Sequence, residues 1–286
     1  EDTRKITNAM YLIASTKLRR ARAELERTRP YFDALRSEIK RVFRTVEGVE
    51  SGYFYPSDDH LLEGTYAYLV ITADKGLAGM YNQNVLKEAQ KLLHEHANAK
   101  LFVVGEYGRE FFVHHGYPIE RSFLYTAQNP TMQRAREISN TLLELYDRGQ
   151  VQKIFVIYTD MKNGMTEEAK STRLLPFHRQ SFASKPEERA VKSSFSFEPS
   201  IEAVLDAMIP SYVSGFIYSA LVDSFCSEQN ARMTAMRAAN DNAEALLAAL
   251  SSSYNRLRQA EITQEITEIT AGAASQRLRA KEAEVI

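Results

Sequence analysis

The residues of this chain that could do chemistry are few and widely spaced. Asp74-Lys75-Gly76 follows a β-prone run, Tyr66 to Thr72, at the carboxyl end of a strand, where α/β folds place ligands. An acid, an amine and a glycine turn there suit phosphate binding. They equally suit a plain turn whose Asp caps the next helix, and without a glycine-rich cradle the turn reading is preferred. His94-Glu95-His96 is not H-E-x-x-H: its histidines are two apart and cannot share a helix face. His114 and His115 are adjacent and diverge for the same reason, so both pairs read as surface histidines. Cys226 lies among Leu221 and Phe225, an apolar setting unlike the electropositive one a reactive thiol needs. A single cysteine makes no internal disulfide and no structural zinc site. The sequence contains no G-x-x-x-x-G-K-[ST], no G-x-S-x-G, and only GxxG at Gly105 and Gly108.

Two polar strips remain. Between residues 1 and 29 there are eight basic and four acidic side chains, among them Lys17, Arg19, Arg20 and Arg22. On a helix, Arg19 and Arg22 point away from the Ile6/Met10/Ile13 stripe. They read as a solvated face or, more sharply, as a surface for an acidic protein partner. Lys17 falls on the stripe, its stem packing while its amine reaches water. Near the C-terminus, Arg256, Gln259 and Thr263 lie opposite the Leu250/Tyr254/Leu257 stripe, with Arg258 on the flank. Patterning alone makes this strip a wet surface.

The elements that must carry these residues are of two kinds. Phe216 to Ala271 is 56 residues without Gly or Pro, a helix of roughly 84 Å at 1.5 Å per residue. Met236, Ala239, Ala243, Leu246, Leu250, Tyr254 and Leu257 step by threes and fours, the seam of a coiled coil, and a second phase follows at Ile262, Ile266, Ile269 and Ala273. Residues 1–47 hold no Gly and only Pro30, with seams at Ile6/Met10/Ile13 and at Phe32, Leu35, Ile39, Val42 and Val46. A narrow stripe cannot be buried by one helix alone. The economical reading is a long antiparallel two-helix coiled coil made by the two ends, with Leu246, Leu250, Tyr254 and Leu257 facing the N-terminal helix. Between them, strands are expected at 66–72, 101–104, 118–125 and 154–158. Helices are expected at 81–97, near 111–113 and around Ala135 to Leu145. A hairpin at Asn163-Gly164 returns through 172–177. This is an α/β layer with a mostly parallel sheet and an antiparallel edge. Residues 178–198 read as a loop. The expected division is 1–55 and 200–286 for the helical arms and 65–198 for the α/β domain.

Composition sets outer bounds. Thirty-six basic and 37 acidic residues give a net charge of −1, which argues against a nucleic-acid partner held by bulk charge. No run of 18 apolar residues occurs, and the first 30 residues lack the apolar core of a secretory signal. The chain begins without Met, inside a helical pattern already running at Ile6, so residues ahead of Glu1 are expected.

Three segments resemble the gamma subunit of bacterial-type F-type ATP synthases: ITNAMYLIASTKLRRAR from Ile6, ITADKGLAGMYNQNV from Ile71, and SEQNARMTAMRAANDNA from Ser227, continuing through SYNRLRQAEITQEITEITAGAA from Ser253. The last is long and specific, and the three together span nearly the whole chain. Ala78 and Met80 depart from the family's GLCGGLN pattern, which leaves a structural turn there. The dithiol insert of the chloroplast type is missing, so a thiol switch is not expected. Residues 275–286 run past the point where many members end. The resemblance implies a coiled coil joined to a Rossmann-like domain. It implies a non-catalytic, single-copy rotor shaft inside a ring of three alpha and three beta subunits, with its foot on the epsilon subunit and the membrane c-ring. ATP, ADP and magnesium are then held by the ring, and no cofactor or metal by this chain. The complex would sit on the cytoplasmic side of the inner membrane. The family's ring-contacting Arg-Gln pair and Thr map onto Arg258, Gln259 and Thr263. Lys17, Arg19, Arg22 and Arg256 complete the expected contact set. The competing readings are a nucleotide-binding α/β enzyme working at Asp74 to Asn82, and a coiled-coil scaffold.

Overall fold

The computed structural model describes residues 2–45, 52–54, 64–96, 98–124, 126–162, 166–177, 198 and 200–283. The chain forms two compact units: Glu1–Ala9 with Met236–Ile286, and Met10–Ala235. The elements are α1 (Asp2–Thr45), β1 (Tyr66–Ile71), α2 (Tyr81–Glu95), β2 (Ala99–Val104), α3 (Glu106–His114), β3 (Ile119–Phe123), α4 (Met132–Asp147), β4 (Lys153–Lys162), β5 (Thr166–Leu175) and α5 (Ile201–Ala283).

In the unit Met10–Ala235 the five strands pair in the order β3-β2-β1-β4-β5. β1 runs parallel to both β2 and β4, β2 parallel to β3, and β5 antiparallel to β4. The expected turn at Asn163-Gly164 lies outside the described residues, as do Val46 and nearly all of the loop 178–198. The strands flanking the turn pair with Lys162 opposite Thr166.

β1 is buried on both sides because its alternate residues feed two cores. Tyr68 and Val70 join Leu101, Val103 and Ile157 beneath Val85, Leu86 and Ala89 of α2 and Phe112 of α3. Ala67, Leu69 and Ile71 join Phe102, Ile154 and Val156 on the other face. That face is covered by Ile138 and Leu142 of α4, by Leu18, Ile39 and Val42 of α1, and by Leu205, Ile209, Val213 and Ile217 of α5. The split follows from handedness. α2 and α3 cross in one direction along the sheet, whereas β4 returns to the far side of β1. A right-handed crossover therefore puts α4 on the opposite face.

α5 tolerates Pro210 and Gly215 within its length. Gly215 has a steric reason: a Cβ there would lie 2.1 Å from the Phe32 ring of α1. One stretch of α5 is apolar and long enough to cross a membrane by length and composition, and half of it is buried inside the protein. A core helix passes the same test.

The expected N-terminal seam needs a shift in phase. Ile13 is exposed, while Ala14 and Leu18 are buried. Small residues sit where the helix packs closest, and a search for large apolar residues picks the wrong phase.

In the unit Glu1–Ala9 with Met236–Ile286, the two helices run antiparallel. Arg4 meets Glu244 at 3.3 Å, and the Thr7 hydroxyl donates to Asn240 Oδ1 at 3.2 Å. Thr7 is buried here and Ile6 is exposed. On α5 the packed side is Met236, Ala239, Asn240, Ala243 and Leu247, buried or half-buried. The seam expected to continue through Leu246, Leu250, Tyr254 and Leu257 does not: these side chains are 63–66% exposed. With Arg4 opposite Glu244, Asp2 stands near Leu246, and no described residue of α1 lies opposite the later positions. Every residue from 248 to 275 is exposed.

Candidate functional site

The carboxyl end of β1 is where the strand order reverses, since β2 lies on one side and β4 on the other. Doubly wound sheets bind ligands in that crevice. Here most of its polar groups are committed to internal bonds, while Asp74 Oδ2 is buried without a hydrogen-bond partner and Lys75 is exposed. Asp74 Oδ1 accepts the Glu106 N–H at 2.9 Å. Asp74 therefore caps a helix as expected, but the helix is α3, across the crevice, rather than the next one in sequence. Asn82 Oδ1 accepts the Ala73 N–H at 3.0 Å. The Thr72 hydroxyl donates to the Val104 carbonyl at 2.9 Å and accepts the Gly108 N–H at 3.0 Å. The two glycines of the GxxG run permit this closeness. A Cβ on Gly105, where φ is +95°, would fall 2.3 Å from the Thr72 carbonyl oxygen, and one on Gly108 would fall 2.5 Å from Thr72 Oγ1. Both glycines serve the close packing of α3 on the end of β1.

α5 closes the crevice. Ala231 packs on Ala73, Ala78 and Tyr81. Arg232 Nη2 donates to the carbonyls of Lys75 and Gly76 at 3.3 and 3.1 Å. Arg232 Nη1 pairs with Glu228 one turn earlier, and both side chains are nearly buried. Burial pushes the Glu228 carboxyl up, opposed by Arg232. Tyr81 is buried, and desolvation with the Glu228 charge nearby pushes its phenol far up. A cavity of about 270 Å³ remains beside this cluster, bordered by Lys17, Asp74, Gln128, Glu228 and Arg232. A larger groove of about 840 Å³ lies between α1, α5 and the start of α4, bordered by Arg20, Arg27, Phe32, Met132 and Phe225.

The other candidates fall as follows. His94, His114 and His115 are exposed. His96 is half-buried against Tyr66, its ring centroid 4.5 Å away. Among the described residues no three of His, Cys, Asp and Glu gather as a metal site. Cys226 is buried, and desolvation pushes its thiol up to about 12, the behaviour of a packed residue rather than a nucleophile.

Of the basic strip, Lys17 and Arg19 are exposed. Arg22 is not on the solvated face where helical phase put it. It is half-buried, with Nη2 at 3.2 Å from Met161 Sδ of β4. It faces the sheet because the buried phase of α1 is that of Ala14 and Leu18. On α5, Arg256, Arg258, Gln259 and Thr263 are all exposed, and the Thr263 hydroxyl donates to the Gln259 carbonyl at 2.8 Å. Because every neighbour from 248 to 275 is exposed too, they form no separate face within the chain.

Sequence reading missed the Glu228–Arg232 pair and the buried carboxyl of Asp223. The i, i+4 spacing of the first was a visible signal. The second showed only as an acid inside an apolar stretch.

The ATP synthase family profile matches residues 1–275. The ATP synthase gamma chain of Caldanaerobacter subterraneus subsp. tengcongensis is 43% identical over 284 residues, covering 96% of this chain and 95% of that one. The gamma chain of Ruminiclostridium cellulolyticum is 41% identical over 276 residues, covering 95% and 93%. Among solved structures, a chain of the Euglena gracilis mitochondrial ATP synthase OSCP/F1/c-ring assembly superimposes with a TM-score of 0.66. It is 17% identical and covers 96% of this chain and 91% of its own.

Proposed function

The chain belongs to the ATP synthase gamma-chain family, and from that premise we propose that it is the central rotor shaft that couples ion flow through a membrane sector to ATP synthesis and hydrolysis in a catalytic ring. The observation that carries the reading is the bare stretch of α5. Residues 248–275 are exposed throughout, about 42 Å of helix at 1.5 Å per residue. Leu250, Tyr254, Leu257, Ile262, Ile266 and Ile269 are among them, 45–71% exposed. Apolar surface on that scale needs cover. In the assembled complex a collar of three alpha and three beta subunits surrounds this stretch, with the opposite end of the rotor on an epsilon subunit and a c-ring.

In this reading Arg256, Arg258, Gln259 and Thr263 meet the ring, and Lys17 and Arg19 meet an acidic part of it. Arg bridges a carboxylate in two places, and Gln and Thr add neutral hydrogen bonds, a set suited to contacts that form and break in each turn. The chain is not itself an enzyme. ATP, ADP and magnesium belong to the ring, in keeping with a β1 crevice filled by α5. The complex lies on the cytoplasmic face of the inner membrane, and this chain is peripheral to it.

The test is co-expression with alpha, beta and epsilon subunits of a close relative. The expected result is one copy of this chain purifying with a hexameric ATPase. A chain that stays out of the ring, or that hydrolyses ATP alone with loss on Asp74→Ala, contradicts the reading.

A further inference from the structure

A rotor must pass torque between its shaft and its α/β domain, so the joint between α5 and the sheet matters. Most of that joint is apolar: Leu205, Ile209, Val213 and Ile217, at four-residue steps, lie against the sheet. Hydrophobic contact is non-directional, so it does not by itself single out one rotational setting of the helix. Directional bonds are needed where the helix would turn or slide.

Arg232 supplies them. Its Nη2 donates to two successive carbonyls, Lys75 and Gly76, while Nη1 is held by Glu228. Those carbonyls are not on a loose tether. They follow β1, the central strand, and the same loop is pinned by the Asp74–Glu106 and Asn82–Ala73 bonds. Ala231 packs beside them against Ala73, Ala78 and Tyr81. Arg232 and Glu228 are only 12% and 9% exposed, so water competes poorly for their pair and for the half-buried Gly76 bond, while the Lys75 bond is open to solvent.

We propose that Arg232, oriented by Glu228, is a torque latch: a positioning residue that stops α5 from turning or sliding against the α/β domain under load. The inference rests on the rotor role and not on the ring-contact residues proposed above. A slack joint lets the shaft turn within the ring while part of each rotation is lost before it reaches the α/β domain. Hydrolysis then continues and ion pumping falls short.

The experiment compares wild type, the double variant Glu228→Gln/Arg232→Met, and Arg232→Lys in the assembled complex in vesicles. The double change leaves neither charge buried and alone, which keeps the fold intact. Arg232→Lys keeps the charge but loses the planar fork that reaches two carbonyls. ATP hydrolysis is measured alongside ATP-driven ion uptake against an existing gradient. The expected result is near-normal hydrolysis with ions moved per ATP lowered by about two- to tenfold in the double variant, and a smaller loss with Arg232→Lys. An unchanged ratio overturns the latch. A parallel fall of hydrolysis and pumping, with Arg232→Lys behaving as wild type, also overturns it and leaves a structural pin. The rotor role fails on a separate arm, a wild-type complex whose hydrolysis moves no ions.

Discussion

Asp223→Asn is expected to stabilise the chain, and only above a defined pH. Asp223 sits in α5, 9% exposed. Burial is the main cause that lifts its carboxyl from 3.8 to about 6, with Asp160 of β4 adding repulsion. Arg29 of α1, Lys170 of β5 and a hydrogen bond from Ser219 pull the other way. A carboxyl raised on folding costs stability where it is ionised in both states, above about pH 6. That cost fades as pH falls, and below about pH 4 both states carry the proton. A rise of about 2 units at about 1.4 kcal/mol each gives up to about 3 kcal/mol. Asn keeps the shape and forgoes the attraction of Arg29 and Lys170, so a gain of about 1–3 kcal/mol at pH 8 is expected. The assay is urea unfolding of both chains at pH 8 and pH 4, read as a shift in midpoint at constant slope. The variant should be more stable at pH 8 and indistinguishable at pH 4. Equal gains at both pH values, or a loss at pH 8, would refute burial of an ionised Asp223.

Three further substitutions separate fold from function. Gly105→Ala should destabilise by about 2 kcal/mol or more in the same urea assay, because the new Cβ meets the Thr72 carbonyl at a positive φ. Leu250→Asp should change the chain's own stability by less than about 0.5 kcal/mol, since Leu250 is 65% exposed; assembly with the ring should suffer instead, as seen by gel filtration of the co-expressed subunits. Gln259→Ala, and likewise Arg258→Ala or Thr263→Ala, should leave the helix intact by circular dichroism. Each should slow turnover or weaken coupling in the assembled complex by an amount matching about 1–3 kcal/mol per contact.

The parts of the fold written in local periodicity were legible in the sequence. The β1 run, the α2 and α4 stripes and the Gly- and Pro-poor helices all declare themselves within a dozen residues. What depends on a distant partner was not legible. Ile6 and Ile13 look like a seam, but the side that packs is that of Thr7, Ala14 and Leu18, where small Thr7 and Ala14 hide the phase from a search for large apolar residues. Leu250, Tyr254 and Leu257 continue the heptad, but no described residue of α1 stands opposite them. Asp74 as a helix cap was readable; that it caps α3 was not, because the two meet only when β1 and β2 pair. The Arg232 latch was hidden for the same reason: its acceptors are backbone carbonyls more than 150 residues earlier. The contact strip Arg256 to Thr263 is legible as residue types alone, and among the described residues no group packs on it.

The central claim is that this chain turns. Val113 of α3 is 58% exposed and suits a cysteine for a bead or fluorophore, and buried Cys226, with its thiol pushed up to about 12, will not compete for the label. With the catalytic ring fixed to a surface by its alpha or beta subunits, ATP should drive the label in one direction, in steps that track hydrolysis. A label that stays still while the immobilised complexes hydrolyse ATP at full rate would contradict the account.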